Sequence, residues 1–156
     1  MDLSLEPSAC RWVKPQSAYL HVPFCRHRCG YCNFSVVAGR DGWIERFLVA
    51  IDRELAWIDR PSVRTVFLGG GTPTHLDLPQ LERLLGMVRE RFDLHDDVEW
   101  SIEANPEDVT REKLEILVDH GVNRISLGVQ SFDRDKLGIL QRGHDRAVAI
   151  QAVELA

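Results

Sequence analysis

Apolar residues recur along the chain with two periods, and the alternation between those periods lays out a series of strands and helices. Residues 17–24 alternate with a period of two, with Tyr19 and His21 on one face and Leu20 and Val22 on the other, and Pro23 ends the ladder of this first strand. Trp43, Ile44, Phe47, Leu48, Ile51, Leu55 and Ile58 then follow a helical stripe that opens after Asp41-Gly42 and stops at Pro61. The same succession repeats three times. A strand over 64–68 precedes a helix from about Pro79 carrying Leu81, Leu84, Leu85 and Val88. A strand over 98–103 precedes a helix from about Thr110, with Leu114, Leu117 and Val118 on its apolar side and Gly121 as its cap. A strand over 124–130 leads to a short helix after Asp133 and another from about Asp145. Strands separated by helices of ten or more residues require parallel pairing, because a hairpin cannot contain such a crossover, so the chain is predicted to be α/β.

The faces of the strands narrow this further. A sheet covered by helices on both sides reads as continuous apolar runs. Here Glu99, Ser101 and Glu103 alternate with Val98, Trp100 and Ile102, and Arg124, Ser126, Gly128 and Gln130 alternate with Ile125, Leu127 and Val129. One face is therefore polar. Either it looks into a cavity, as in a wide or incompletely closed β/α barrel, or its polar groups pair with one another inside a packed one. The unusual motifs sit after the C-terminal strand ends, where such barrels carry ligand loops. The expectation is an irregular arm over 1–16 and one core domain over 17–156, four β/α units forming the N-terminal part of an incomplete, partial TIM-type barrel. Closure typically takes roughly 200 residues or more, so the chain is expected to be the N-terminal part of a longer protein.

Composition changes the picture mainly by exclusion. The 156 residues are 44% hydrophobic and 28% charged, ordinary for a globular domain, with 24 acidic against 19 basic residues and a net charge of −5. That balance argues against nucleic acid as partner, since Arg26 and Arg28 make no basic stripe. No run approaches the ~18 apolar residues of a membrane span, and the N-terminus lacks a signal peptide's basic and apolar regions. The expected location is cytoplasmic, with at most peripheral membrane contact.

The chemistry is concentrated in Cys25, Cys29 and Cys32, spaced C-x3-C-x2-C in one loop behind the first strand. Thiolates are soft ligands that select zinc, copper(I) or iron–sulfur clusters. Structural zinc needs a fourth protein ligand, which only His21, His27 or Cys10 would improvise. A cubane held by three cysteines instead leaves one iron free to bind a small molecule. Elsewhere, Gly69-Gly70-Gly71-Thr72 allows close backbone approach with exposed amides and one hydroxyl, or is simply a turn. It lacks the Lys-Ser/Thr of a nucleoside triphosphate loop. Glu103 is suited to an amine or a ribose diol, or is a surface carboxylate; Gln130 offers one donor and one acceptor. Arg142 suits a carboxylate partner or is a plain surface charge.

The cysteine spacing, with Tyr31 as the aromatic before the last cysteine, resembles the radical S-adenosylmethionine (SAM) superfamily. Tyr-x-His-x-Pro-Phe-Cys at 19–25, Gly-Gly-Gly-Thr-Pro-Thr at 69–74, Glu-x-Asn-Pro at 103–106 and Gly-Val-Gln-Ser-Phe at 128–132 resemble its coproporphyrinogen dehydrogenase and HemW haem-chaperone group. The resemblance implies a radical SAM barrel and a [4Fe–4S] cluster on Cys25, Cys29 and Cys32. It implies SAM contacts from Tyr19, Tyr31, Gly70, Gly71, Thr72, Glu103, Gln130 and Arg142. It also implies an open iron that chelates the SAM methionine group and an electron that cleaves SAM to a deoxyadenosyl radical. Haem or a porphyrinogen, a haem-acceptor protein and an electron donor are the implied partners. The dehydrogenases of this group have a further cysteine two residues past the triad and a long N-terminal arm; here that position is Phe34, and 18 residues precede Tyr19. Both departures favour a haem chaperone over an oxygen-independent coproporphyrinogen III dehydrogenase. An RNA-modifying enzyme is disfavoured by the charge.

Overall fold

The computed structural model describes residues 15–156, so most of the expected N-terminal arm, with Cys10, lies outside the described residues. Four parallel strands form the main sheet in chain order: β1 (Ser17–Val22), β2 (Ser62–Gly70), β3 (Asp93–Ala104) and β4 (Arg124–Leu127). Each crossover carries a helix: α1 (Ile44–Leu55), α2 (Leu78–Arg91) and α3 (Arg111–His120). All three pack on the same side of the sheet, the outcome expected of right-handed crossovers between successive neighbours. There α1 packs on α2 and α2 on α3. Two further helices, α4 (Arg134–Ile139) and α5 (Arg146–Leu155), follow β4.

The core lies between the helices and the apolar sheet face. Leu20, Val22, Val66, Leu68, Trp100 and Ile102 meet Leu48, Leu81, Leu84, Leu85 and Val88, all at 3% exposure or less. Each such aliphatic side chain contributes about 1.5–3 kcal/mol by leaving water, so packing outweighs the capping terms of about 1 kcal/mol. Those caps still fix the helix starts. Asp77 and Gln80 form a reciprocal capping box on α2, Thr110, Asp133 and Asp145 cap α3, α4 and α5, and Gly121, at φ 91°, closes α3 as expected.

Several boundaries differ from the periodicity, among them both ends of β2, expected over 64–68. Helix α1 ends at Leu55, so Ile58 falls in the following turn and Trp57 is 86% exposed. Strand β3 starts at Asp93, through a polar run without strand periodicity, because Ser62 and Val63 pair with Asp93 and Leu94 before a bulge shifts the register. Strand β4 ends at Leu127 rather than Gln130, where the chain turns through a positive φ of 64° at Gln130.

The polar sheet face bears out both readings, at different heights. Towards the N-terminal strand ends, Ser101 Oγ donates to Glu99 Oε1 (3.0 Å) and Arg124 Nη1 donates to Ser101 Oγ (3.1 Å), so these groups satisfy each other. Towards the C-terminal ends, Glu103 and its neighbour in register Ser126 line an open cavity.

Candidate cluster and cofactor site

The cysteine loop is closed at its base by a two-residue parallel bridge, Phe24↔Val37 and Cys25↔Ala38, and by Val37 N donating to Pro23 O (2.8 Å). Phe24, 2% exposed, anchors it to the core edge-on against Phe47. His21 reaches across to the loop: Nε2 donates to Ser35 O (2.8 Å), which leaves Nδ1 to accept from the Tyr19 hydroxyl (3.3 Å). Cys32 N donates to Cys29 O (3.0 Å), folding the last two cysteines into one turn.

All three thiols are free and partly buried, and all three line one cavity of about 320 Å³. Burial pushes the Cys25 thiol up, against a smaller opposing effect of the Thr72 hydroxyl at 3.6 Å. Among the described residues no three His, Cys, Asp or Glu side chains converge on a single ion. Three thiols lining one cavity fit a cluster, in which each thiolate takes a separate iron. The donor set fits too: His27 Nε2 lies 3.6 Å from Cys29 Sγ, but it donates to Gln141 O (2.6 Å), so that nitrogen carries a hydrogen and the three sulfurs are left as the ligands.

The glycine run meets the loop in a way the sequence reading did not anticipate. Gly71 N donates to Val22 O and Thr72 N to Phe24 O, both at 2.8 Å, and Gly70 N donates to Glu103 Oε2 at 3.0 Å. The amides expected to be exposed are consumed by the protein. Gly71 is glycine because a Cβ there would lie 2.6 Å from Phe24 O and 2.7 Å from Pro23 O. Gly70 adopts φ 112°, and a Cβ there would strike the His21 ring at 2.4 Å. These glycines thus press β2 against the base of the cysteine loop, while Gly70, Gly71 and Thr72 still line the cavity.

Within the cavity lining, Arg142 is the centre of a network. It donates to Asn105 Oδ1 (2.5 Å), to Gly128 O (2.7 Å) and to Cys29 Sγ (3.6 Å). Asn105 Nδ2 in turn donates to Thr72 Oγ1 (3.0 Å). Arg142 is therefore no plain surface charge: it ties β4's exit to the loop after β3 and to the cysteine loop. Arg26 reinforces this through Asp108, which is 5% exposed, at 3.1 Å.

Of the expected site residues, Tyr31, Gly70, Gly71, Thr72, Glu103, Gln130 and Arg142 line this cavity with the three cysteines. Tyr19 does not. It stacks on Phe67 with ring centroids 5.9 Å apart, 57% exposed, beside the cavity on the same sheet face. Asn105, Ser126 and Glu107 line the cavity without having been singled out by the sequence reading, although Asn105 and Glu107 lie in or beside the Glu-x-Asn-Pro motif.

The Radical SAM superfamily profile matches residues 19–156, nearly all of the described chain. The chain belongs to the radical SAM superfamily. Membership implies a [4Fe–4S] cluster and SAM as cofactors. Among curated radical SAM relatives, the haem chaperone HemW of Lactococcus lactis is 41% identical over 141 residues, covering 90% of this chain and 37% of the relative. HemW of Escherichia coli is 40% identical over 149 residues, covering 92% of this chain and 39% of the relative. The chain thus spans under two fifths of the length of these relatives. Among solved structures, Escherichia coli coproporphyrinogen III oxidase (HemN), a radical SAM enzyme, superposes with a TM-score of 0.82 at 31% identity, over 92% of this chain and 34% of that one. The parallel α/β architecture is accordingly that of a partial radical SAM barrel.

Proposed function

We propose that Cys25, Cys29 and Cys32 hold the [4Fe–4S] cluster, that Gly70, Gly71, Thr72, Glu103, Gln130, Arg142 and Tyr31 bind SAM beside it, with Tyr19 at the rim, and that the whole serves a HemW-type haem chaperone delivering haem to acceptor proteins. The observation that carries this reading is one cavity lined both by three partly buried free thiols and by the polar C-terminal strand ends. When bound, the cluster supplies an electron and the open iron a place for the methionine group of SAM. The chain's own residues do the rest. Arg142 fixes the Cys29 thiol and the Gly128 carbonyl, Glu103 pins Gly70, and residues 70–72 line the cavity for the ligand's amino-acid end.

The choice of chaperone rests on Phe34, which lines the cavity, 64% exposed, where the dehydrogenases carry a cysteine. The HemW relatives support the same choice. A coproporphyrinogen III dehydrogenase is the second reading, favoured by the superposition on HemN. Haem or a porphyrinogen is the ligand class, an electron donor and a haem acceptor are the protein partners, and the reducing cytoplasm suits three free thiols. No helix among the described residues is long and apolar enough to cross a membrane.

The deciding experiment incubates the full-length protein anaerobically with SAM, reductant and coproporphyrinogen III. Haem binding and transfer to an acceptor without porphyrinogen turnover is the expected result. Formation of protoporphyrinogen IX with release of carbon dioxide overturns the chaperone reading.

A further inference from the structure

At the edge of the cavity lies a pair, buried at its two facing atoms, that the network above does not use. His144 follows Arg142 by two residues, and its side chain is fully buried; Glu107, 20% exposed, lies on the single turn Pro106–Asp108 after β3 and lines the cavity. His144 Nε2 lies 2.9 Å from Val129 O. A carbonyl only accepts, so Nε2 carries the hydrogen. His144 Nδ1 then faces Glu107 Oε2 at 3.3 Å, just outside hydrogen-bond alignment, and neither atom has another partner. Without a proton between them, two lone pairs would oppose each other in a buried site, which is costly. Gly143 permits the approach, since a Cβ there would lie 3.1 Å from Glu107 Oε1.

The consequence falls on Gln130. The two carbonyls before it are gripped in succession, Gly128 O by Arg142 and Val129 O by His144, and Ser131 N also donates to Val129 O (2.7 Å), closing a tight turn around Gln130 that the histidine anchors from outside. Gln130 itself holds φ 64°, a left-handed conformation that costs a non-glycine residue roughly 1 kcal/mol or more and persists only where its surroundings impose it. We propose that Glu107 and His144 share a proton and act as a positioning pair, holding the Val129 carbonyl so that Gln130 stays turned towards the cavity in a geometry ready for SAM. This rests on the SAM reading above and names two residues that act on it without touching the ligand.

The test uses full-length protein with its cluster reconstituted and reads the SAM dissociation constant from the change SAM causes in the EPR spectrum of the reduced cluster. His144→Phe and Glu107→Ala should each weaken SAM about tenfold or more, the scale of one buried hydrogen bond lost. Glu107→Gln should stay within about threefold of wild type, because its amide N–H donates to Nδ1 of the neutral ring. The double variant His144→Phe/Glu107→Ala should bind no more weakly than His144→Phe alone, since the glutamate acts through the histidine. Additive losses, or a Glu107→Gln as poor as Glu107→Ala, would mean that the carboxylate meets the ligand directly and would overturn the proposal. The ring 15N shifts of His144 in the wild type give a measurement that does not depend on a variant folding: both nitrogens should report hydrogen bonds, and an unbonded Nδ1 lone pair would overturn the pairing. A wild-type cluster indifferent to SAM would sink the SAM reading, whereas SAM binding equally to wild type and variants would sink this inference alone.

Discussion

Replacing Gly71 by alanine tests how the cysteine loop is held to the sheet. The backbone at this position is unstrained, so conformational freedom is not at issue; space is. The added Cβ would lie 2.6 Å from Phe24 O and 2.7 Å from the Pro23 carbonyl carbon and oxygen, which are backbone atoms of the loop's base and cannot swing aside as a side chain can. Relief requires the loop and β2 to separate, at the about 1–3 kcal/mol typical of overpacking. Separation also weakens the bonds from Gly71 N to Val22 O and from Thr72 N to Phe24 O, worth about 1 kcal/mol each. The sum is about 3–5 kcal/mol, a large share of the 5–15 kcal/mol of a typical domain. At a urea slope of about 2 kcal/mol per molar, the unfolding midpoint should fall by about 1.5–2.5 M. Gly86→Ala is the matched control: it lies inside α2, and its Cβ would meet nothing within 4 Å. It should raise the midpoint by about 0.5 M through helix propensity alone. The assay is urea unfolding of the apo-protein followed by circular dichroism, with iron bound after anaerobic reconstitution as a second readout. A Gly71→Ala midpoint within about 0.3 M of wild type, with full iron content, would refute the steric argument.

Anaerobic reconstitution of the wild type should yield about four irons and four sulfides per chain, and Cys29→Ser should lose them; one tightly held zinc without sulfide would contradict the cluster. Adding SAM to the reduced protein should change the EPR spectrum of the cluster, and an unchanged spectrum would count against SAM at the open iron. Burial lowers Lys113, chiefly, while the Asp108 carboxylate opposes this, and its ammonium donates to Thr74 O. The folded chain therefore gives up this proton at lower pH than the unfolded chain, so this group adds stability as pH rises through the lowered value towards the ordinary lysine value of 10.5. Lys113→Met should lack that gain, so its pH–stability curve, measured by urea titration, should rise less steeply than wild type's over that interval; parallel curves would refute it. Trp100→Ala should cost about 3–5 kcal/mol in the same assay, because the indole is fully buried at the centre of the sheet.

The sequence by itself determined whatever depends on residues near one another along the chain. The apolar periods placed each strand and helix, Gly121 marked the end of α3, and the cysteine spacing placed three thiols in one loop. It also showed that the sheet has a polar face, because alternation along a strand is a local property. What only the tertiary structure decided are pairings between segments that sequence separation hides. Residues 93–97 carry no strand pattern and became strand because β2 lay beside them to supply hydrogen-bond partners. The glycine run read as a row of free amides, yet their partners are the carbonyls of Val22 and Phe24 and the carboxylate of Glu103, many residues away. Arg142 read as an even choice between surface charge and ligand contact until Asn105, Gly128 and Cys29 were found around its guanidinium. The reason is physical: a buried donor or acceptor must find a partner, but which partner it finds is set by the register of neighbouring strands and the turns between them, and no local pattern encodes that geometry.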